Sequence, residues 1–116
     1  MRRSGPEWVS ENIFVRRTFL DDVGDVIDGH THHFAHTTYL PRGAVHIVGK
    51  RDGVVVKEGD FYAAKEGSPP MALILPDVEH TITALEPNTI IDCIYSHRDA
   101  QGRVVQEFNG FTEHYH

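Results

Sequence analysis

The sequence predicts an all-β, single-domain protein, and three features support this. Short segments rich in Val, Ile, Phe and Thr recur along the 116 residues, separated by Gly, Pro, Asn and Asp. No stretch shows the apolar spacing of a long helix. The composition, 40% hydrophobic and 24% charged, is that of an ordinary globular domain rather than a disordered chain. Strands of this kind are typical of a sandwich or a barrel, and we expect one domain over residues 1–116.

The first half of the chain contains the clearest individual strands. Ile13–Leu20 is enriched in Val and Phe and is followed by Asp21-Asp22, which predicts a strand that ends in a turn. Ala44–Val48 and Val54–Lys57 flank a segment that ends in Asp52-Gly53. Because Asp-Gly favours positive φ angles, these two segments are predicted to form a hairpin.

The second half predicts further strands at Phe61–Lys65, Met71–Leu75, Val78–Leu85, Thr89–His97 and Arg103–Phe108. Met71–Leu75 is apolar throughout, so we expect it to be buried on both faces. Val78–Leu85 alternates, which places His80 on the same face as Val78 and Ile82. Residues 109–116 are polar and aromatic, and we expect a loose tail or a segment that packs on a partner subunit.

Charge and composition exclude several classes of partner. Eleven basic and 17 acidic residues give a net charge of −6, which does not favour nucleic-acid binding. No apolar run reaches the ~20 residues of a membrane span, and the first residues lack the apolar segment of a secretory signal. Cys93 is the single cysteine, which excludes an intramolecular disulfide and a Cys-based zinc site. Because Ile91, Ile94 and Tyr95 surround it in the sequence, we expect a buried, inert thiol rather than a nucleophile. We therefore expect a cytoplasmic protein without nucleic-acid or membrane partners.

Histidine is the unusual feature, with nine in the chain and four within seven positions: His30, His32, His33 and His36. On a strand, residues i and i+2 point to the same side, so His30 and His32 are spaced to chelate one ion. His36 shares their parity, and His80 would join them if the fold brings its strand alongside. A lone buried histidine more simply bonds a backbone carbonyl, but beside this cluster a shared metal is the better interpretation.

The segment 24–43 resembles the first motif of the cupin superfamily, because its glycines and histidines stand at that motif's spacing. His36 stands where the family usually has a glutamate. The segment 74–80 resembles the second motif, in which a proline turn precedes the last histidine ligand. One residue is missing there, between Pro76 and His80.

This resemblance implies the double-stranded β-helix of cupins, a jelly-roll barrel with its core at about residues 24–97, commonly as a homodimer. It also implies one divalent metal held by His30, His32, His36 and His80. Imidazole ligands suit Fe, Mn, Ni, Cu and Zn. Two alternatives remain open: a three-histidine site with His36 facing solvent, or a polar surface cluster that binds no metal.

Four neutral ligands would leave the charge of the metal uncompensated, which favours an anionic small-molecule substrate. Carboxylate-free histidine sites in cupins resemble those of dioxygenases, so we expect a dioxygenase-type oxidoreductase. A non-catalytic small-molecule-binding or sensory protein, or a metal-dependent isomerase or lyase, are the alternatives, since the fold does not select among them.

Two aromatic residues and two arginines are weaker candidates. Tyr95 and His97 share a strand parity and would line the pocket and orient its ligands, unless Tyr95 belongs to the core and His97 caps the strand end. Arg42 and Arg98 would either pair with an anionic substrate or lie in solvent.

Overall fold

Two antiparallel sheets enclose the interior in the computed structural model, which describes residues 1–10, 12–30, 36–96, 101, 103 and 111–114. The strands are β1 (Arg2–Ser10), β2 (Ile13–Leu20), β3 (Val26–His30), β4 (His36–Arg42), β5 (Ala44–Arg51), β6 (Val54–Tyr62), β7 (Met71–Ile74), β8 (Glu79–Ala84), β9 (Thr89–Ser96) and β10 (Phe111–His114). Among the described residues no helix is long and apolar enough to cross a membrane.

The strand order shows how the chain alternates between the sheets. One sheet has the order β10-β1-β2-β9-β4-β7 and the other has the order β3-β8-β5-β6. Because β9 lies between β2 and β4, and β8 lies between β3 and β5, strands distant in sequence become neighbours. This arrangement is a jelly roll. The predicted all-β class and the jelly-roll barrel are therefore confirmed.

The core lies between the inner faces of the two sheets. Its buried members are Leu20, Ile27, Leu40, Val45, Ile47, Ala72, Ile74, Ile82, Ala84 and Ile91. Strand β8 shows the predicted alternation, since His80 and Ile82 are buried whereas Glu79 is exposed. Burying one Leu or Ile side chain contributes about 1.5–3 kcal/mol, which offsets the polar groups enclosed with them.

Two local predictions are confirmed closely. Strand β2 covers Ile13–Leu20, the range expected from its composition. Strands β5 and β6 form the predicted hairpin, with Arg51 opposite Val54. The turn between them has positive φ at Asp52 (52°) and Gly53 (78°), which matches the twist of a two-residue hairpin loop.

The separate strand predicted at Phe61–Lys65 is wrong. Strand β6 runs without interruption from Val54 to Tyr62, and Gly59 stands within it, opposite Ile47. Pairing along the whole of β5 overrides the turn tendency of the Gly59-Asp60 dipeptide.

Burial of Met71–Leu75 on both faces is also wrong. Ala72 and Ile74 are buried, whereas Met71 and Leu73 are about half exposed, at 50% and 52%. Strand β7 is the edge of the six-stranded sheet, and only one of its faces meets the core. An apolar run therefore did not indicate two-sided burial here.

The two ends of the chain differ from expectation. Strand β1 was not predicted, and it pairs with β2 through an irregularity between Ser4 and Glu7. Residues 111–114, which were expected to be a loose tail or to pack on a partner subunit, form β10 and pair with β1. The strand predicted at Arg103–Phe108 lies outside the described residues, apart from Arg103.

His46 lies on the outer face of β5, between two carboxylates of β6. Its Nδ1 is 2.5 Å from Oδ1 of Asp60, and its Nε2 is 2.9 Å from Oε2 of Glu58. The hydrogen bond to Asp60, followed by that to Glu58, raises the pKa of the imidazole. The protonated ring is therefore favoured in the folded protein.

We expect His46→Gln to flatten the pH dependence of stability. Because folding raises the pKa of His46, its contribution is complete below the unfolded pKa of about 6.5 and is lost as the pH rises through the folded pKa. The group is partly exposed, so the contribution is about 1 kcal/mol or less. Urea unfolding of both proteins at about pH 5.5 and 8.5 measures it. An equal difference between the proteins at both pH values would contradict this prediction.

Gly43 and Gly24 provide a matched pair for a packing prediction, since both have φ of 91°. A Cβ at Gly43 would lie 2.1 Å from Oγ1 and 2.8 Å from Cα of buried Thr89, whereas a Cβ at Gly24 meets no atom within 4 Å. We expect both alanine variants to lose about 1 kcal/mol from backbone strain, and Gly43→Ala to lose about 1–3 kcal/mol more from overpacking. Urea unfolding gives both values. Equal losses would show that Thr89 moves aside at little cost.

Candidate metal centre

Two histidines face each other across the interior, one from each sheet. His36 begins β4 and is 4% exposed, and His80 lies in β8 and is 1% exposed. Their ring centroids are 5.1 Å apart, with an angle of 56° between the ring planes. His36 is buried, so the alternative of a three-histidine site with His36 facing solvent is wrong in its placement of His36. The fold thus brings together two strands that the sequence alone left unconnected.

A bulge in β3 determines which residue lies opposite His80. Ile27 pairs with Ile82 and His30 pairs with His80, so three residues of β3 span two of β8. A Cβ at Gly29 would lie 2.7 Å from Cγ of Glu79, so the Glu79 side chain occupies the space that a larger residue at the bulge would need. The bulge therefore places the backbone of residue 30 directly across from His80.

The remaining predicted ligands are only partly described. His32 and His97 lie outside the described residues, and His30 is described by its backbone alone. Within the described part of the chain, no three His, Cys, Asp or Glu side chains form a group that could hold a metal ion. The structure thus brings His36 and His80 together, and the four-histidine set stays a prediction.

The donor chemistry and the spacing of the two described imidazoles fit a transition metal. An ion bound to two imidazole nitrogens at about 2.0–2.1 Å holds the two ring centroids about 4.5–5.5 Å apart. The observed 5.1 Å lies in that range. Mg and Ca prefer oxygen ligands, so a nitrogen-rich, buried set favours Fe, Mn, Ni, Cu or Zn.

Tyr95 is partly buried, and its ring lies between those of Phe14 and His36. Its ring stacks on Phe14 with centroids 4.9 Å apart, and it meets the His36 ring edge-on at 6.4 Å. Burial raises the pKa of the phenol, so the hydroxyl group stays protonated at neutral pH. Tyr95 therefore borders His36, and its role in orienting ligands stays a prediction.

A cavity of about 60 Å³ lies between the sheets beside His36. Its lining residues are Arg2, Arg16, Thr18, Ile27, His36, Cys93 and Tyr95. Burial raises the pKa of the Cys93 thiol, which agrees with the expectation of an inert cysteine. A wider depression of about 320 Å³ also has His36 and Tyr95 in its wall. These two side chains therefore border both spaces.

Arg16 is one of the cavity residues that the sequence prediction missed. It has the same strand parity as Phe14 and Thr18, whose side chains are buried, and its Nε donates to Oε1 of Glu7 at 2.6 Å. That parity, visible within Ile13–Leu20, was the signal that could have found it. Of the arginines proposed instead, Arg42 does not line this cavity and Arg98 lies outside the described residues.

Comparison with known proteins gives matches among solved structures. No protein-family model and no curated protein matches the sequence. A cupin superfamily protein from Desulfitobacterium hafniense superposes with a TM-score of 0.63 at 11% identity, over 84% of this chain and 78% of that one. KdgF from Halomonas sp. gives a TM-score of 0.59 at 17% identity, over 84% of each chain.

A mutant of oxalate decarboxylase from Bacillus subtilis gives a TM-score of 0.65 at 17% identity, over 91% of this chain and 30% of that one. The Bacillus subtilis oxalate decarboxylase has Mn(II) centres. At these identities the similarities establish the fold. Together with the two-sheet jelly roll and the histidines enclosed in it, they identify the chain as a protein of the cupin fold.

Proposed function

We propose that this protein is a metal-dependent cupin enzyme, a dioxygenase-type oxidoreductase that acts on a small anionic organic molecule. In this proposal one divalent transition metal is held by His30, His32, His36 and His80. The observation that carries the proposal is the approach of two buried imidazoles from different sheets, with ring centroids 5.1 Å apart.

The enclosure itself supports metal binding. His80 has Ile82 two residues away on the same buried face, and His36 lies opposite Ile74 of β7. An apolar surrounding strengthens electrostatic interactions between a bound ion and its ligands, and imidazole binds metals in its neutral form. The fold can accommodate such a centre, since the structurally similar oxalate decarboxylase has Mn(II).

The residues around the cavity supply the remaining chemistry. When bound, a metal such as Fe or Mn would act as a Lewis acid and support reaction with O₂. Tyr95, with its pKa raised by burial, keeps a hydroxyl proton that can be donated to an anionic ligand. Arg16 places a permanent positive charge at the same cavity. Both features favour an anionic molecule over a neutral one.

A metal-dependent lyase is the second candidate, because one structural neighbour is a decarboxylase of a small dicarboxylate. A non-catalytic binding or sensory protein would differ from either enzyme only in lacking turnover. The two enzyme classes differ in their need for O₂, which gives a direct test.

We expect His80→Ala and His36→Ala to lose metal. Removing a ligand should weaken binding by more than about 100-fold, since outer partners of ligands alone account for about 10–100-fold. Metal content per chain is measured by mass spectrometry after loading with Mn, Fe, Ni or Zn and dialysis. His36→Glu should retain metal with a changed preference, because a carboxylate replaces a neutral ligand.

His46→Ala is the control for those variants, since it removes a histidine from the outer face. It should keep the metal content of the wild type. Circular dichroism verifies that each variant is folded. Absence of stoichiometric metal in the wild type, or equal content in His80→Ala, would refute the proposed centre.

We expect the metal-loaded protein to consume O₂ in the presence of a small anionic substrate. Fe, Mn and Ni forms are tested with an oxygen electrode against panels of thiols, β-diketones, phenols and carboxylic acids. The His80→Ala protein serves as the inactive control. Product formation without O₂ consumption would contradict the dioxygenase function and support a lyase or isomerase function. Binding of a small molecule without any turnover would support the non-catalytic binding or sensory function.

A further inference from the structure

We propose that Arg16 binds the carboxylate group of an organic-acid ligand inside the barrel, in the cavity that it shares with His36 and Tyr95. This inference rests on the proposed function and deepens it, because it names carboxylic acids as the class of molecule that the site takes. It assigns a binding residue on β2, a strand outside both histidine motifs.

The position of Arg16 on β2 directs it inward. Phe14 and Thr18, two residues before and after it, are buried, and the register places Arg16 opposite Cys93 of β9. The adjacent Arg17 has the opposite parity and makes a two-pronged ion pair with Asp92, with distances of 2.8 and 2.9 Å. The two consecutive arginines therefore lie on opposite faces of the same sheet.

Arg16 is held in place on one side of its guanidinium. Its Nε donates to Oε1 of Glu7, which is 6% exposed, and its Cζ lies 5.9 Å from the centre of the Phe14 ring. A guanidinium has five N–H donors, and the Nη edge matches the two oxygens of a carboxylate. The Arg16 side chain is 50% exposed, so a ligand can reach it without disrupting the core.

The charge of the cavity favours an anion. Among its described lining residues two are arginines, Arg2 and Arg16, and none is acidic; the carboxylate of Glu7 pairs with Arg16, so these three groups together leave a net positive charge. Burial raises the pKa of Cys93 and Tyr95, and the nearby positive charge of Arg16 offsets part of that rise.

The size of the cavity favours a carboxylate. Its volume of about 60 Å³ is about twice the share of one water molecule in the liquid. This space accommodates a carboxylate group and one or two carbon atoms, so the ligand is a short-chain acid or the acidic end of a larger molecule. A ligand carboxylate bound at Arg16 would lie in the same cavity as the His36 ring.

Propionate and propionamide are the probes, since they have nearly the same shape and differ in charge. Each is titrated into the metal-free wild-type protein by calorimetry and by saturation-transfer NMR, with inorganic phosphate as a third ligand. We expect propionate to bind at least about tenfold more tightly than propionamide, as a charge-assisted pair requires. Equal binding of acid and amide, or tighter binding of phosphate, would overturn the proposal.

Arg16→Gln should weaken propionate binding by about tenfold or more. Arg16→Lys should lose less affinity, because lysine keeps the positive charge but cannot form the two parallel hydrogen bonds of a guanidinium. Arg3→Gln is the matched control, because it removes the same charge from an exposed arginine that pairs with Asp21. Equal effects of Arg16→Gln and Arg3→Gln would also overturn the proposal. If Arg16→Gln does not fold, the Arg16→Lys variant and the comparison of propionate with propionamide test the proposal instead.

The metal measurements separate this proposal from the proposed function. Arg16→Gln should keep the metal content of the wild type, since Arg16 is not a ligand in the proposed centre. His80→Ala should lose the metal but bind propionate in the metal-free state as the wild type does. Arg16-dependent binding of propionate by a protein that holds no metal would refute the metal centre and support the role of Arg16.

Discussion

The meeting of two imidazole rings between the sheets is the constraint on which the rest of the site depends. His36 and His80 come from strands in different sheets, so their approach requires that β4 and β8 face each other across the core. Enclosing polar groups costs free energy unless they are bonded or bind an ion. Apolar neighbours such as Ile82 and Ile91, both fully buried, provide the stabilisation that allows this polar interior.

Much of this arrangement follows from local patterns in the sequence. Alternation along β8 identified the buried face of His80, and the composition of Ile13–Leu20 identified β2. The Asp52-Gly53 dipeptide identified the hairpin because few other residues adopt positive φ readily. In each case a single strand or turn contains the information, so no knowledge of distant pairing was needed.

Features that depend on distant pairing could not be derived in this way. The exposure of Leu73 results from its position on the outer face of β7, because only the opposite face of this sheet packs against the second sheet, which a five-residue apolar run does not reveal. The approach of His36 to His80 was expected from resemblance to a known motif rather than from the residues themselves. Arg16 is the intermediate case: its parity with Phe14 and Thr18 was readable, but its pairing with Glu7 of β1 depends on a strand that was not predicted.

Because of the bulge at Gly29, the number of residues in β3, as well as their identity, determines which residue lies opposite His80. Since β3 passes three residues while β8 passes two, regular pairing of the present chain from Ile27 onward would put Gly29 across from His80. The extra residue is therefore what brings the backbone of His30 to that position. A one-residue deletion at Asp28 or Gly29 would let β3 pair regularly with His30 still opposite His80, whereas substitutions alone cannot alter this register.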